Sequence, residues 1–304
     1  MTNPTPSSSG WFSARLLGQL AAPPPSGPTS PPRPARTVLR AAGRGVFVAL
    51  TLVAGALVVR VLATLPGHAG ARRGTLALQG FSRILLRALG TRVQSSGGPR
   101  SGPSLVVANH VCWLDVLVLA AAGPVVPLVD ESMLQRPIGP MASRFGALLY
   151  RPGVSRDLSA AVQQVGAALR SGHRVLVFPD VHPGRGGEPF SRAAFQAAVD
   201  TAVVVSPVAL SYGAPPAGLT GADDLVSSLW RILRSGPQTV RVTWLPVIPA
   251  VAGPGHRADH RAAAARRTEW AINQALGRRG PATRAPLPAV APEQAPALVL
   301  ARSF

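Results

Sequence analysis

Lysine is missing from this 304-residue chain: all 31 of its Lys+Arg cations are arginine, set against 12 acidic residues for a net charge of +19. A cation set made wholly of arginine reflects nucleotide composition as well as function, so the charge alone does not choose between a membrane surface and a nucleic acid. Aromatic residues make up only 5% of the chain, and no run interleaves them with basic residues as a single-strand-binding surface requires, which sets nucleic acid aside as a partner. Cysteine occurs once, at Cys112, so an intrachain disulfide and a zinc cluster of paired cysteines are excluded, and a reducing compartment is the simpler reading. No G-x-S-x-G elbow occurs, which ranks a serine hydrolase last.

What the chain does have is apolar residues, at 47%, and a length that suits one large domain or two small ones. Residues 1–37 are rich in Pro and Ser (PTPSSSG, APPPSGPTSPPRPAR) and read as a disordered or extended tail, as does the Pro/Ala-rich stretch 280–304. Between them, residues 38–92 read as membrane-associated helices and 93–279 as the folded domain. The run GVFVALTLVAGALVV, from Gly45 to Val59, carries no charge, and Arg60 follows it. Fifteen helical residues reach about 22 Å, short of a hydrocarbon core of roughly 30 Å. Three readings compete. A signal peptide has an A-x-A-like site at Ala69-Gly70-Ala71, but its apolar run begins too late. A spanning helix would hold the Arg-rich N-terminus inside and send the rest of the chain outside. A helix lying in or dipping into the cytoplasmic leaflet is favoured by the next segment, where Leu78, Phe81, Leu85 and Leu89 recur at helical spacing among Arg73, Arg83 and Arg87. The expected location is therefore the cytoplasmic face of the cell membrane.

From residue 104 short apolar runs alternate with longer amphipathic ones. Strands are expected at Leu105 to Ala108, Val125 to Val129, Ala147 to Arg151, Arg174 to Phe178, Val203 to Leu210 and Thr239 to Leu245. Helices are expected near 113–121, 134–145, 155–171, 192–200, 222–234 and 257–276. This alternation predicts an α/β fold: a layered domain with a mostly parallel sheet flanked by helices.

Three stretches could carry chemistry. In VANHVCWLDV, Asn109 and His110 follow the first strand and Asp115 falls on the next helix, at the edge where open α/β sheets bind ligands. Five positions on a regular helix do not share a face, so His110 and Asp115 meet only if His110 lies in the turn before the helix. A carboxylate on one ring nitrogen sets the tautomer and leaves the other nitrogen free to take a proton from a hydroxyl. The alternative is a capped helix start, with Asn109 as N-cap and His110 incidental. Arg151 ends another strand and is suited to a phosphate or carboxylate, or is simply solvated. Phe178-Pro179-Asp180-Val181-His182 leads into a Gly-rich loop that could anchor a polar head group or be plain surface.

Together these stretches resemble the glycerolipid acyltransferase family that includes the 1-acylglycerol-3-phosphate acyltransferases, over about residues 75–276. Asn109-His110 with Asp115 match its Asn-His-x-x-x-x-Asp block, Gly146 to Arg151 the second, Phe178-Pro179-Asp180 the third and Ser206-Pro207-Val208-Ala209-Leu210 the fourth. The resemblance implies that His110, oriented by Asp115, deprotonates a lysolipid hydroxyl that attacks the thioester of acyl-CoA or acyl carrier protein. These are co-substrates, and neither cofactor nor metal is implied. Asn109, Arg151, Pro179, Asp180 and His182 would bind substrate. The third block departs from the family's Phe-Pro-Glu-Gly-Thr: Asp180 replaces Glu, Val181 replaces Gly and His182 replaces Thr. Leu229 to Leu233, Gly236-Pro237 and Val240 to Pro246 are similar to the bacterial subgroup that acylates lyso-ornithine lipids, whose acceptors carry an amino-acid head group. The competing function is a catalytically silent homologue that binds membranes or lipid.

Overall fold

The computed structural model describes residues 34–62, 69–131, 142–143, 145–151, 155–180, 189–213, 225–251 and 255–278. Two N-terminal helices, α1 (Pro34–Leu62) and α2 (Ala69–Ala88), precede an α/β domain. Its elements run β1 (Thr91–Ser96), β2 (Ser104–Ala108), α3 (Leu114–Ala122), β3 (Val126–Asp130), β4 (Leu148–Tyr150), α4 (Ser155–Arg170) and β5 (Arg174–Val177). A 3₁₀ turn, Arg192–Phe195, then leads into α5 (Gln196–Thr201), followed by β6 (Val204–Tyr212), α6 (Leu225–Arg234), β7 (Gln238–Trp244), β8 (Ile248–Pro249) and α7 (Arg257–Ala275).

The sheet has the order β1-β7-β6-β2-β5-β3-β4, with β8 pairing the start of β6. The pairs of β2 with β5 and β6, of β3 with β4 and β5, and of β1 with β7 are parallel, whereas β7 and β8 run antiparallel to β6. Parallel neighbours need a crossover between them, and here α3, α4 and the 3₁₀–α5 segment supply it. All five residues of β2, SLVVA, are buried, as a central strand covered on both faces requires.

Strand alternation divides the core in two. Val106 and Ala108 of β2, with Val208 and Leu210 of β6, face a layer made by α1, α2, α3 and α6. Leu105 and Val107 face the opposite layer, made by α4, the 3₁₀–α5 segment and α7. Helix α4 stops at Gly172, whose φ of +83° lets His173 N–H reach back to Ala168 O and Gly172 N–H to Leu169 O.

The six expected strands are present within a residue or two of their ends. Two strands were not expected. β1 (TRVQSS) carries one apolar residue and lies at the sheet edge, where a strand needs no apolar alternation, and β8 has only two residues. The helix expected over 134–145 falls mostly outside the described residues, as do residues 1–33 and 279–304. At the other boundary α1 reaches back to Pro34, so residues 34–37 belong to the helix and not to the tail. Proline suits a first helical turn, whose N–H groups have no partner within the helix.

Candidate active site

Strand β2 ends between β5 and β6 at Ala108, and the next residues build the site. Asn109 is buried and continues the β2–β6 pairing with its side chain. Nδ2 donates to Leu210 O at 3.1 Å, and Leu210 N–H donates to Oδ1 at 2.8 Å. It is not the N-cap of α3, which begins at Leu114 with no side-chain cap. His110 therefore lies in the turn ahead of the helix, and Asp115, in the first turn of α3, folds back over it.

The Asp115 carboxylate is fully buried and surrounded by donors. Oδ2 lies 3.0 Å from His110 Nδ1 and accepts from the N–H groups of Val111 at 2.5 Å and Cys112 at 2.9 Å. Oδ1 accepts from the Tyr212 hydroxyl at 2.5 Å. A buried charge is tolerable only when saturated in this way. Oδ2 already accepts two backbone N–H groups and meets the ring as an acceptor, so Nδ1 carries the ring proton and Nε2 keeps its lone pair. The His110 side chain retains 18% exposure, so the ring is not sealed in the core. Phe178 stacks on the imidazole with ring centroids 4.3 Å apart.

Asp180 is held from below: its Oδ2 accepts the His110 backbone N–H at 2.6 Å. Burial raises its pKa, partly offset by His110 and by the nearby Arg278 guanidinium, while Glu269 adds to the rise. Pro179 is buried and its carbonyl accepts from Ser191 N–H, tying the start of the loop to the turn that opens at Arg192. His182 lies outside the described residues. Arg151 stands on the same sheet edge but beyond β4, three strands from β2, or about 14 Å at ordinary strand spacing. Its guanidinium is mostly exposed and is shared by Glu131 at 3.3 Å and Asp157 at 2.5 Å. His110, Asp115, Asn109, Pro179 and Asp180 thus converge, and Arg151 stands apart.

Two participants escaped the sequence reading. Tyr212 lies beyond the expected end of its strand, although its alternation with Val208 and Leu210 already pointed it toward α3. Arg278 enters through the αL turn at Gly277 that ends α7, where Arg278 N–H bonds Asn273 O. Burial pushes the Cys112 thiol up to about 12, so it is a proton-bearing core group and not a nucleophile. Among the described residues no group of three His, Cys, Asp or Glu side chains could hold a metal ion.

Comparison with known proteins agrees on one kind of protein. Residues 91–211 match the family model described as Acyltransferase. Over 200 residues the chain is 34% identical to the lyso-ornithine lipid O-acyltransferase of Pseudomonas aeruginosa, a match that covers 63% of this chain and 75% of that protein. It is 33% identical over 154 residues to a 1-acyl-sn-glycerol-3-phosphate acyltransferase of Neisseria meningitidis, covering 48% of this chain and 60% of the relative. The crystal structure of the 1-acyl-sn-glycerophosphate acyltransferase of Thermotoga maritima superposes with a TM-score of 0.59 over 80% of this chain and 97% of the other, at 14% identity, which is a likeness of fold.

Proposed function

We propose that this chain, which belongs to the acyltransferase family, esterifies the free hydroxyl of a lysolipid with an acyl group taken from acyl-CoA or acyl carrier protein. The observation that carries this reading is the Asp115–His110 pair at 3.0 Å, which engages Nδ1 and leaves Nε2 as the ring nitrogen that takes a proton, on a ring that is partly exposed. His110 Nε2 takes the proton of the lipid hydroxyl as its oxygen attacks the thioester carbonyl. The tetrahedral intermediate expels the thiolate, which recovers that proton from the imidazolium. Asp115 stabilises the imidazolium between the two steps, and Phe178 restricts the ring to one plane.

The acceptor is a lysolipid of the lyso-ornithine type in preference to 1-acylglycerol-3-phosphate. Two features support that preference. Arg151 is already shared by two carboxylates, which weakens it as a phosphate ligand. Asp180, in place of a family Glu, is committed to the His110 backbone. The apolar outer side of α1 and the positive charge suit a protein seated on the cytoplasmic face of a membrane.

The test is transfer of labelled acyl groups from acyl-CoA and from acyl carrier protein to a panel of lysolipids, comparing wild type with His110→Ala. Transfer to a lyso-ornithine acceptor that vanishes in the variant is the expected result. No transfer to any acceptor, with membrane binding intact in both proteins, would leave a silent lipid-binding homologue.

A further inference from the structure

We propose that Tyr212 is a positioning residue for acyl transfer: its hydroxyl, donated to Asp115 Oδ1 at 2.5 Å, turns Oδ2 toward His110 and holds it there. The proposal rests on the reading of His110 as the base and adds a group from a distant part of the chain.

The donors that reach Asp115 from its own turn, His110 Nδ1 and the N–H groups of Val111 and Cys112, all fall on Oδ2. They leave the plane of the carboxylate free to pivot about that oxygen. Only the Cys112 thiol approaches Oδ1 from the same turn, at 3.8 Å, and a thiol is a weak donor. Tyr212 supplies the missing constraint from β6, so the carboxylate is gripped from the helix side and from the sheet side at once. The position of the phenol is itself set. Asn109 joins Leu210 by two hydrogen bonds, and Tyr212 follows two residues later on the same face of the strand.

The protons can be assigned along this chain. Burial and the neighbouring carboxylate raise the Tyr212 pKa well above its ordinary value, so the phenol keeps its proton. The Cys112 thiol, 3.5 Å from the phenol oxygen, donates to that oxygen, and the phenol proton goes to Asp115. Cys112 thus continues a relay of positioning groups that ends on His110.

A ring that only fills space and a hydroxyl that orients a carboxylate make different predictions for Tyr212→Phe, which keeps the ring. Without the phenol the carboxylate pivots and Oδ2 leaves Nδ1 for part of the time, so the imidazolium of His110 loses part of its partner and the ring takes a proton only at lower pH. In the full-length protein, with His110→Ala used to assign the signal, the NMR titration of the His110 ring in Tyr212→Phe is expected to move to lower pH. In the acyl-transfer assay kcat falls about tenfold, the loss expected for one hydrogen bond to a charged group, while KM for both substrates stays within about twofold. Replacing Tyr212 with 3-fluorotyrosine, which keeps the hydroxyl donor, leaves the titration close to that of the wild type. An unmoved His110 titration in folded Tyr212→Phe overturns the proposal, as does a loss of activity that follows a lowered melting temperature. The titration needs no substrate, so it decides the role of Tyr212 even if no lysolipid is acylated.

Discussion

Asn109 illustrates how a motif residue can be structural. Both ends of its carboxamide are engaged by the Leu210 backbone, so Asn109→Ala leaves a buried N–H and a buried C=O unpaired, at roughly 1–3 kcal/mol for each group. The expected outcome is a lowered denaturation midpoint with acceptor KM unchanged; a raised KM at unchanged stability would assign Asn109 to substrate binding instead. Cys112 is the only thiol, and its pKa of about 12 keeps it protonated. Alkylation by iodoacetamide at mildly basic pH is therefore expected to be about a hundredfold slower in the folded protein than in denaturant, followed by intact mass. Asp180 gives a pH dependence with a definite sign. Because its folded pKa is raised, the folded state holds that proton more tightly than the unfolded chain does. The associated stability is fully present below the ordinary carboxylate pKa and is lost as pH rises through the folded value. Asp180→Asn should abolish that fall in a series of thermal melts from acidic to neutral pH; an identical fall in the variant would assign it to other groups.

Helix α1 is the element with the largest apolar outer side among the described residues. Its segment Val38–Val58 has a mean hydropathy of 1.9 and is only 22% buried, with Val46, Phe47, Leu50, Val53 and Leu57 on the outside. On the inner side Ala41, Val48 and Thr51 pack against α2 and α6. Arg44 fastens it: the guanidinium donates to Ser235 O at 2.9 Å and to Leu233 O at 3.4 Å, covering carbonyls left open at the end of α6. It also fills the space over Gly90, where the backbone has φ +74° and a Cβ would strike the guanidinium. The outer ridge can therefore be altered without disturbing the fold. Leu50→Glu with Val53→Glu is expected to release the protein from lipid vesicles in a sedimentation assay while its melting temperature changes little. Retention on vesicles would place the membrane contact on another element.

For the whole molecule, charge and apolar surface act at different ranges. A net charge of +19 attracts an anionic bilayer over about one Debye length, roughly 8 Å at physiological salt, whereas burial of an apolar ridge is insensitive to salt. Binding to anionic vesicles should weaken with added salt yet persist at high salt; complete release would leave electrostatics as the whole attraction. The layered α/β class was legible in the alternation of apolar runs such as Leu105 to Ala108 and Arg174 to Phe178, because a buried parallel strand must be apolar on both faces whatever its neighbours are. The family was legible because Asn109, His110 and Asp115 are close in the chain, and so was the rule that His110 must precede the helix to reach Asp115. Strand order was not, because hydrogen bonds between β2, β5 and β6 leave no trace in local periodicity. Nor were the approach of Tyr212 to Asp115 across 97 positions, the commitment of Asn109 to Leu210 and the turning of Asp180 toward the His110 backbone. Sequence spacing determines which groups meet within one turn, while contacts between distant segments exist only once the sheet has brought the ends of its strands to a common edge.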